Sequence, residues 1–445
     1  METINKKIAG IILNSLQSGV VPKVGTEYIM VGRKLEGGAL LNDLNIISEG
    51  GANLRFIVGK YGSGKSFLMH FFGNEAREQG FIVLDVDLSP EKRLMGSGKQ
   101  GLNTYRELIR NMSSKTTPEG GALPLILEKW ISNIQSEVEE ENKNNNEDGI
   151  NSNTVLFNSL VESKISKTIA GIQGMVHGFD FSKIIKTYFR AYNEDNDDKK
   201  QAAMKWLRGE FNNKFEAKNE LGVSTIITND DWYEYLKLFS YFLVSAGYKG
   251  MIIIIDEMVN LCKLPSSVSR QQNYEKILTM FNDTMQGNAS YLEIIFGATP
   301  QSMDDDRKGI FSYDALRSRL EKSKFVRQGI EDMMAPVIRI EPLANEELFV
   351  LIENLAGIHA HLYNYKINFT EEDLKEFLAL ETSRIGAAED ITPREIIRDF
   401  IQILNISFQH PELKVKDIIG DKAFNYSPST VANDNINDEF KDFNL

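Results

Sequence analysis

The sequence predicts an α/β protein in which helices cover both faces of a parallel β-sheet. Short apolar runs without strict alternation of apolar and polar residues are typical of strands buried on both faces. Five such runs occur, at residues 55–58, 81–87, 251–256, 292–299 and 337–343. Segments with helical periodicity separate them, which favours parallel strands joined by crossover helices. About 160 residues separate the second run from the third, so a large helical insertion is expected there.

The composition indicates a folded protein of two or three domains. The chain has 445 residues, of which 42% are hydrophobic and 25% are charged, close to the averages for globular proteins. Its formal net charge of −13 argues against a non-specific coat on DNA or an anionic membrane, because both attract positively charged proteins. The single cysteine, Cys262, excludes an internal disulfide and points to a reducing compartment. No apolar stretch reaches the roughly 18 residues of a membrane span, so we expect a cytoplasmic protein.

Periodicity and composition divide the chain into predicted parts. Residues 3–17 have the apolar spacing of an amphipathic helix, and a helical pattern extends from Glu346 to about Ser407. Residues 138–153 are rich in Asn and Glu and are expected to form a disordered loop, and residues 427–445 a frayed tail. The predicted division is an N-terminal helix and linker (1–50), a split nucleotide-binding core (51–98 and 250–343), a helical insertion (99–249), a helical lid (344–410) and a C-terminal extension (411–445).

A glycine-rich motif directly follows the first predicted strand. The segment 59–66 reads GKYGSGKS and matches the Walker A pattern G-x-x-x-x-G-K-[ST] in full, with a strand before it and a helix after it. The glycines let backbone N–H groups surround phosphates, and the helix N-terminus adds a positive dipole. Lys65 is expected to reach the β- and γ-phosphates of ATP, and Ser66 to bind Mg²⁺. The predicted nucleotide contacts in this segment are Gly59, Tyr61, Gly62, Ser63, Gly64, Lys65, Ser66 and Phe67.

The third apolar run ends in two carboxylates. Residues 251–257 read MIIIIDE, which is typical of a Walker B strand. Asp256 is expected to hold Mg²⁺, and Glu257 to polarise the attacking water. The alternative is a strand that runs into an acidic helix start. Because a complete Walker A motif lies upstream, we interpret the pair as catalytic, and Glu257 favours hydrolysis over nucleotide sensing alone.

Thr299 closes the fourth apolar run at the edge of the sheet where ligands bind in open α/β folds. It is a candidate for orienting the water or contacting the γ-phosphate, and the alternative is a cap of the turn at Pro300. Between the fourth and fifth runs, Arg317 and Arg319 lie in a charged segment. An arginine from this interval can complete the site of a neighbouring subunit, and we favour Arg319. The alternative for both is a solvated helix.

Other candidate residues lie outside these strands. Arg394 follows Thr392-Pro393 at a predicted helix start and is expected either to reach the nucleotide from a lid or to be a surface residue. Gly32 and Arg33 form a turn ahead of the Walker A strand that either borders the base or is purely structural.

The segment 164–218 has a positive net charge, although the chain as a whole is acidic. It holds eleven Lys and Arg residues against seven acidic ones. Basic residues interleaved with aromatic ones can form a nucleic-acid groove, and they also occur on ordinary solvated helices with a buried aromatic stripe. The candidate DNA contacts include Lys199, Lys200, Lys205 and Arg208.

The order of these parts resembles that of AAA+ ATPases, and within them the initiator branch related to Orc/Cdc6. The likeness covers residues 55–90 and 250–405, and the long insertion has no counterpart there. Only about 35 residues follow His410, too few for the C-terminal winged helix that those initiators use on DNA. The resemblance implies a parallel-sheet ATPase core, a helical lid, ATP with Mg²⁺ and an oligomer in which an arginine acts in trans.

A closer resemblance covers most of the chain. The segments GVVP (19–22), VGR (31–33), FIVGKYGSGKSFL (56–68), WLRGE (206–210) and AGYKGMIIIIDE (246–257) are similar to BrxD-type ATP-binding proteins of bacterial phage-defence systems such as BREX. A similar ATPase accompanies a TerB-like protein and a helicase in the Shango system. The resemblance implies an ATPase that acts in antiphage defence beside a helicase, with DNA as a candidate ligand. The alternatives are a slow nucleotide-gated scaffold that recruits a helicase or effector, and a DNA-loading initiator.

Overall fold

The computed structural model describes residues 4–144, 155–325, 331–367, 369–384, 392–413 and 418. Its five strands are β1 (Ala52–Val58), β2 (Ile82–Asp87), β3 (Met251–Asp256), β4 (Leu292–Ala298) and β5 (Val337–Arg339). Helices α1 (Lys6–Gln17) and α2 (Lys34–Ser48) precede β1, and α3 (Lys65–Glu78) connects β1 to β2. Between β2 and β3 lie α4 (Gln100–Arg110), α5 (Leu123–Asn144), α6 (Val155–Thr168), α7 (Ala170–Gln173), α8 (Gly178–Asn193), α9 (Asp197–Leu207), α10 (Lys214–Leu221) and α11 (Trp232–Ser245).

The remaining helices follow β3. Helices α12 (Val259–Cys262) and α13 (Ser267–Met285) lie between β3 and β4, and α14 (Pro300–Asp304) and α15 (Asp314–Leu320) between β4 and β5. After β5 come α16 (Asn345–Tyr363), α17 (Glu371–Arg384) and α18 (Pro393–Gln409). No helix in the described ranges is long and apolar enough to cross a membrane.

The strands form one sheet in the order β2-β3-β4-β1-β5, and each neighbouring pair is parallel. The predicted α/β class with a parallel sheet is therefore confirmed. Because β4 lies between β1 and β3, the strands that carry the two nucleotide-binding motifs do not touch each other. The carboxyl ends of β1, β3 and β4 nevertheless share one edge, where Val58 pairs with Ala298 and Ile255 with Phe296.

Two strand boundaries differ from the prediction by three residues or more, and those of β2 and β4 differ by one residue. Strand β1 begins at Ala52 rather than Arg55, because polar Asn53 and Arg55 are accommodated within the sheet. Strand β5 ends at Arg339 rather than at residue 343. As an edge strand it pairs with β1 alone, and β1 ends at Val58 where the glycine-rich turn begins.

Both faces of the sheet are apolar, which explains why the predicted strands lack alternation. On one face Ile57, Ile252 and Ile295 pack with residues of α2 and α3. On the other face Phe56 stacks on Phe296, with ring centroids 5.3 Å apart. Helix α13 lies on this second face, where Tyr274 and Ile277 belong to the same hydrophobic cluster.

The helices between β2 and β3 share a hydrophobic core with the second face of the sheet. Trp130, Trp206 and Trp232 are buried among them and belong to the cluster that contains Phe56 and Phe296. Edge-to-face contacts, such as that between Trp130 and Phe242 at 5.0 Å, connect helices distant in sequence. The region is therefore packed onto the sheet rather than connected to it by a linker.

The N-terminal helix packs against the C-terminal helices. Ile12 and Leu16 of α1 lie in one hydrophobic cluster with Ile352 of α16 and Ile401 of α18. The predicted apolar stripe of residues 3–17 is thus confirmed as the buried face of α1. This contact brings residues from both ends of the chain to the same side of the glycine-rich turn.

The prediction of a disordered loop at residues 138–153 is wrong for residues 138–144. Residues 138–144 are the last turns of α5, in which Val138 is buried. Glutamates are good helix formers, and Glu137 and Glu141 both pair with Lys164 of α6, at 3.3 and 2.6 Å. Residues 145–153 and the predicted tail at 427–445 lie outside the described residues.

A charged group is buried in the centre of the sheet. Arg55 of β1 donates two hydrogen bonds to the Asp43 carboxylate, at 2.8 and 2.7 Å. Glu293 of β4 is fully buried beside this pair. Burial, and then the charge of Asp43, raises the pKa of Glu293 well above its ordinary value, which favours the protonated side chain.

Candidate functional site

The glycine-rich turn connects β1 to α3, and α3 begins at Lys65. Gly62 and Gly64 have φ angles of +73° and +97°, in the left-handed region that favours glycine. A Cβ atom on Gly62 would also lie 2.6 Å from the Cβ of Thr392. The turn is therefore held against the start of α18, the helix that carries Arg394.

Lys65 is buried at the N-terminus of α3. Its Nζ donates to the carbonyl oxygen of Lys60 at 2.9 Å and lies 5.5 Å from the centre of the Tyr61 ring. Burial lowers the pKa of Lys65, although the carboxylates of Asp256 and Glu257 oppose this shift. A buried ammonium beside unsatisfied helix N–H groups is a site that favours an anion.

Ser66 and Asp256 meet across the edge of the sheet. The Ser66 hydroxyl donates to Asp256 Oδ2 at 2.6 Å. A hydroxyl and a carboxylate are oxygen ligands of the kind that Mg²⁺ prefers, and Mg²⁺ commonly takes few protein ligands because water and phosphate complete its shell. In the described ranges, no group of three or more His, Cys, Asp or Glu side chains is placed to hold a metal. The donor set fits Mg²⁺ bound together with a phosphate.

Glu257 follows Asp256 in an unusual backbone conformation. Its φ angle is +58°, and its N–H donates to Asp256 Oδ1 at 2.7 Å. Its Oε2 accepts a hydrogen bond from the Tyr61 hydroxyl at 3.1 Å. Burial, followed by the charge of Glu257, raises the pKa of Tyr61 to about 12. Tyr61 therefore remains a hydrogen-bond donor throughout the physiological pH range.

Thr299 lies at the end of β4, between the two motif strands, and lines the same cavity as Lys65 and Glu257. Its Oγ1 accepts from the backbone N–H of Ser302 at 3.1 Å, and Ser302 Oγ accepts from the Thr299 N–H at 2.9 Å. The side chain thus caps α14, as the structural alternative predicts. Thr299 still lines the cavity, and its catalytic role stays a prediction.

Arg394 lines the cavity from the first turn of α18. Its charge contributes to lowering the pKa of Lys65, which places the two cations on the same site. Helix α18 begins with a capping box between Thr392 and Glu395, with Pro393 at its first position. The local sequence therefore determines where Arg394 projects from the helix.

Arg33 also borders the cavity and is almost fully buried. Its guanidinium donates to the carbonyl oxygen of Ser63 at 3.0 Å and to Glu36 at 3.3 Å. The first of these hydrogen bonds holds the backbone of the glycine-rich turn in place. Gly32 does not line the cavity. A Cβ there would lie 2.5 Å from Glu347 Oε1, so the glycine is required for packing against α16. Gly59 likewise lies beneath the turn rather than at the cavity surface.

The two candidate arginines of α15 differ. Arg317 forms an ion pair with Asp306 and lies 5.9 Å from the centre of the Phe311 ring. Arg319 is exposed, and its guanidinium donates to the carbonyl oxygen of Ala315 on its own helix at 2.6 Å. Neither lines the cavity of its own chain. An arginine that acts on a neighbour must be exposed, and Arg319 meets this requirement better.

The cavity extends beyond the predicted residues. It encloses about 1060 Å³, part of which is open to solvent. One wall is apolar and comes from α1, the segment after it, α16 and α18. The residues of this wall, which were not predicted as site residues, are Leu16, Val20, Val21, Ile29, Leu343, Leu351 and Ile397. The GVVP segment was the one local signal for them, because the others are ordinary apolar residues brought together by packing.

Two candidate DNA contacts of the basic segment, Lys200 and Lys205, form ion pairs with acidic residues. Lys200 pairs with Glu128 at 3.0 Å and lies over the rings of Tyr188 and Tyr192. Lys205 pairs with Glu220 at 3.6 Å, with its ammonium 4.3 Å from the Phe211 ring centre. These lysines cover an aromatic stripe, as the structural alternative predicts.

Comparison with known families agrees with this geometry. The family model described as "BREX system ATP-binding protein BrxC/D" matches residues 4–423. A comparison with curated proteins finds no significant match. The family match includes the glycine-rich turn, both carboxylates and the N-terminal and C-terminal helices around the cavity. The chain therefore belongs to the BrxC/BrxD family of BREX system ATP-binding proteins.

Proposed function

We propose that this protein is an ATPase of the AAA+ type that binds ATP with Mg²⁺ and hydrolyses it. The observation that carries the proposal is that one cavity brings together Lys65, Ser66, Asp256 and Glu257. A phosphate-binding turn alone would serve a binding protein, whereas Glu257 adds a carboxylate that can polarise water. The family description supports ATP as the nucleotide.

Each group has a distinct role in the proposed reaction. The backbone N–H groups of the turn bind the phosphates, and Lys65 neutralises their charge. Ser66 and Asp256 hold Mg²⁺, which supplies charge compensation on the phosphate oxygens when it is bound. Glu257 orients a water and accepts its proton. Thr299, at the end of the strand between the two motifs, is placed to contact that water or the γ-phosphate.

The apolar wall is proposed to hold the adenine base. Val21, Ile29 and Ile397 line the cavity together with the glycine-rich turn, and purine rings bind in apolar clefts with few polar contacts. Because α1 and α18 both contribute to this wall, nucleotide binding would tie the N-terminal helix and the C-terminal helices to the sheet. Arg394, at the start of α18, would then contact the phosphates.

A homo-oligomer would complete the site. Arg319 is exposed on α15, and we propose that it reaches the phosphates bound by a neighbouring subunit. Since the family belongs to a BREX defence system, we further propose that the ATPase acts with other defence proteins, including a helicase, and with DNA.

A slow nucleotide-gated scaffold is the second candidate, and the Tyr61–Glu257 hydrogen bond favours it, because a carboxylate held by Tyr61 is less available to water. Steady-state ATP hydrolysis with and without Mg²⁺ and duplex DNA separates the two. Turnover that requires Mg²⁺ and exceeds about 0.001 per second supports the ATPase, and a lower rate in every condition supports the scaffold.

A further inference from the structure

A second cleft lies away from the nucleotide cavity, between α4 and the segment that follows α9. It encloses about 970 Å³, including space open to solvent. Three arginines line it, Arg106 and Arg110 from α4 and Arg208 from the WLRGE segment. The acidic residue at its surface is Glu210, so the charged side chains that line the cleft carry a net charge of +2. The proposed ATPase reaction uses none of these residues.

Two of the arginines retain unused donors. Arg106 donates through Nε to the carbonyl oxygen of Gly209 at 2.8 Å, which orients the guanidinium. Among the described residues, its two terminal nitrogens have no hydrogen-bond partner, and Arg208 has no ion pair or side-chain hydrogen bond. Arg208 is half-buried, and burial lowers the pKa of Arg106. The charge of exposed Glu210 opposes this shift. Because two partly desolvated guanidinium groups share this one exposed carboxylate, the cleft favours a further bound anion.

The lining favours phosphate groups over other anions. Arginine forks match phosphate oxygens, and Arg106 and Arg110, one helical turn apart, lie about 6 Å from each other along the helix axis. Asn212, which accepts a hydrogen bond from Lys99 at 3.2 Å, extends the polar rim. The lining residues include no aromatic side chain on which an unpaired base could stack. This composition suits the backbone of duplex DNA better than splayed single-stranded bases.

We propose that the cleft lined by Arg106, Arg110 and Arg208 binds the phosphate backbone of duplex DNA. The inference rests on the proposed DNA-associated function for the choice of ligand, and it assigns the contact to this cleft rather than to the lysines of the predicted basic segment. Because phosphate contacts carry no sequence information, binding at the cleft is sequence-independent and falls as salt concentration rises.

The test uses the full chain and a fluorescently labelled 20-base-pair duplex in an anisotropy titration. The cleft variant is Arg110→Gln/Arg208→Gln, which removes one exposed ion pair, that of Arg110 with Glu107, and leaves the Arg106–Gly209 hydrogen bond intact. A matched variant, Lys199→Gln/Lys214→Gln, removes the same charge from exposed residues of the same region. The cleft variant is expected to bind DNA at least about tenfold more weakly than the wild type. The slope of log affinity against log salt concentration should become less negative by about 0.9 for each lost phosphate contact. The matched variant should stay within about twofold of wild type.

Three results would overturn the proposal: no duplex binding by the wild-type protein, equal weakening in both variants, or unchanged affinity in the cleft variant. Polyglutamate that displaces the duplex at lower concentration than unlabelled duplex would also overturn it, since the cleft would then favour an acidic protein. Binding of a fluorescent ATP analogue is measured on the same samples. Failure of the wild-type protein to bind ATP would contradict the proposed function, whereas loss of DNA binding alone concerns only the cleft.

Discussion

The Tyr61 hydroxyl donates a hydrogen bond to Glu257 Oε2 over 3.1 Å and so connects the variable part of the glycine-rich turn to the carboxylate of the neighbouring motif. Tyr61 lies between Gly59 and Gly62 in sequence, and Glu257 follows the end of β3. Both residues line the cavity that is proposed to hold the phosphates. In the proposed reaction, this bond competes with water for one oxygen of the Glu257 carboxylate.

Replacing Tyr61 with Phe is expected to raise basal ATP turnover. The variant keeps the ring beside Lys65 and removes only the hydroxyl, so Glu257 is released to bind water. A hydrogen bond to a charged group contributes about 1.5–3 kcal/mol, which limits the increase in kcat to roughly tenfold to a hundredfold. Steady-state kinetics at saturating Mg·ATP measures it. A fall in kcat at constant KM would mean that Tyr61 holds Glu257 in its productive position.

Replacing Lys65 with Ala is expected to abolish binding of ATP at micromolar concentrations, because its buried ammonium contacts the phosphate-binding turn at the N-terminus of α3. Titration with a fluorescent ATP analogue measures this. Lys60→Ala is the matched control, since the Lys60 carbonyl that contacts Lys65 belongs to the backbone and remains. Equal affinity in the two variants would contradict the assigned role of Lys65.

Replacing Glu257 with Gln is expected to preserve ATP binding and to lower kcat by about a hundredfold to ten-thousandfold, the range typical of a general base. The amide keeps the size of the side chain and can still accept from Tyr61. Single-turnover hydrolysis and nucleotide binding are measured on the same preparation. Unchanged hydrolysis would exclude Glu257 as the base.

Replacing Arg319 with Ala is expected to leave ATP binding intact and to lower turnover by up to about a thousandfold, because in the proposed oligomer this arginine contacts the phosphates of a neighbouring subunit. When mixed with wild-type protein, the variant should reduce activity more than dilution does. Arg317→Ala is the control, since Arg317 is already paired with Asp306. Mass measurements with ATP check for assembly, and a monomer that hydrolyses ATP at the wild-type rate would contradict a role in trans.

Replacing Glu293 with Gln is expected to stabilise the fold at neutral pH. The folded-state pKa of Glu293 is raised, so the folded protein retains a proton that the unfolded chain loses, and wild-type stability falls as pH rises above about 4.3. The slope for one proton is about 1.4 kcal/mol per pH unit. Asp43 and Arg55, the charged residues beside Glu293, are the same in the variant and in the wild type. Melting temperatures between pH 5 and 7.5 should diverge, with the variant higher at pH 7.5, whereas exposed Glu372→Gln should follow wild type.

The residues of the two nucleotide-binding motifs are local in sequence and were predictable for that reason. A turn that surrounds phosphates needs glycines, lysine and serine at fixed spacing, and a buried strand rarely ends in two adjacent acids unless they face a site. The contacts between the motifs were not predictable. The strand order places β4 between β1 and β3, and only this order puts Thr299 in the cavity and Tyr61 within reach of Glu257.

The basic segment shows the limit of charge counting. Its excess of positive charge was evident from the sequence, but Lys200 pairs with Glu128 and Lys205 with Glu220. These partners lie 72 and 15 residues away in the chain, and no local pattern indicates them. Arg208 faces a cleft whose other arginines belong to α4, about a hundred residues earlier in the chain. Long-range packing, not composition, decides which charges remain free.

The sequence by itself determined the parallel α/β class, the phosphate-binding turn, the Mg²⁺-binding and catalytic candidates and the family, because each depends on short-range periodicity or on contiguous motifs. Tertiary structure alone decided that α1 packs with α16 and α18 to form the apolar wall, that Gly32 serves packing while Arg33 supports the turn, and that three arginines share a cleft. These features join residues far apart in the chain. Their geometry follows from how buried surfaces fit together, which no local pattern encodes.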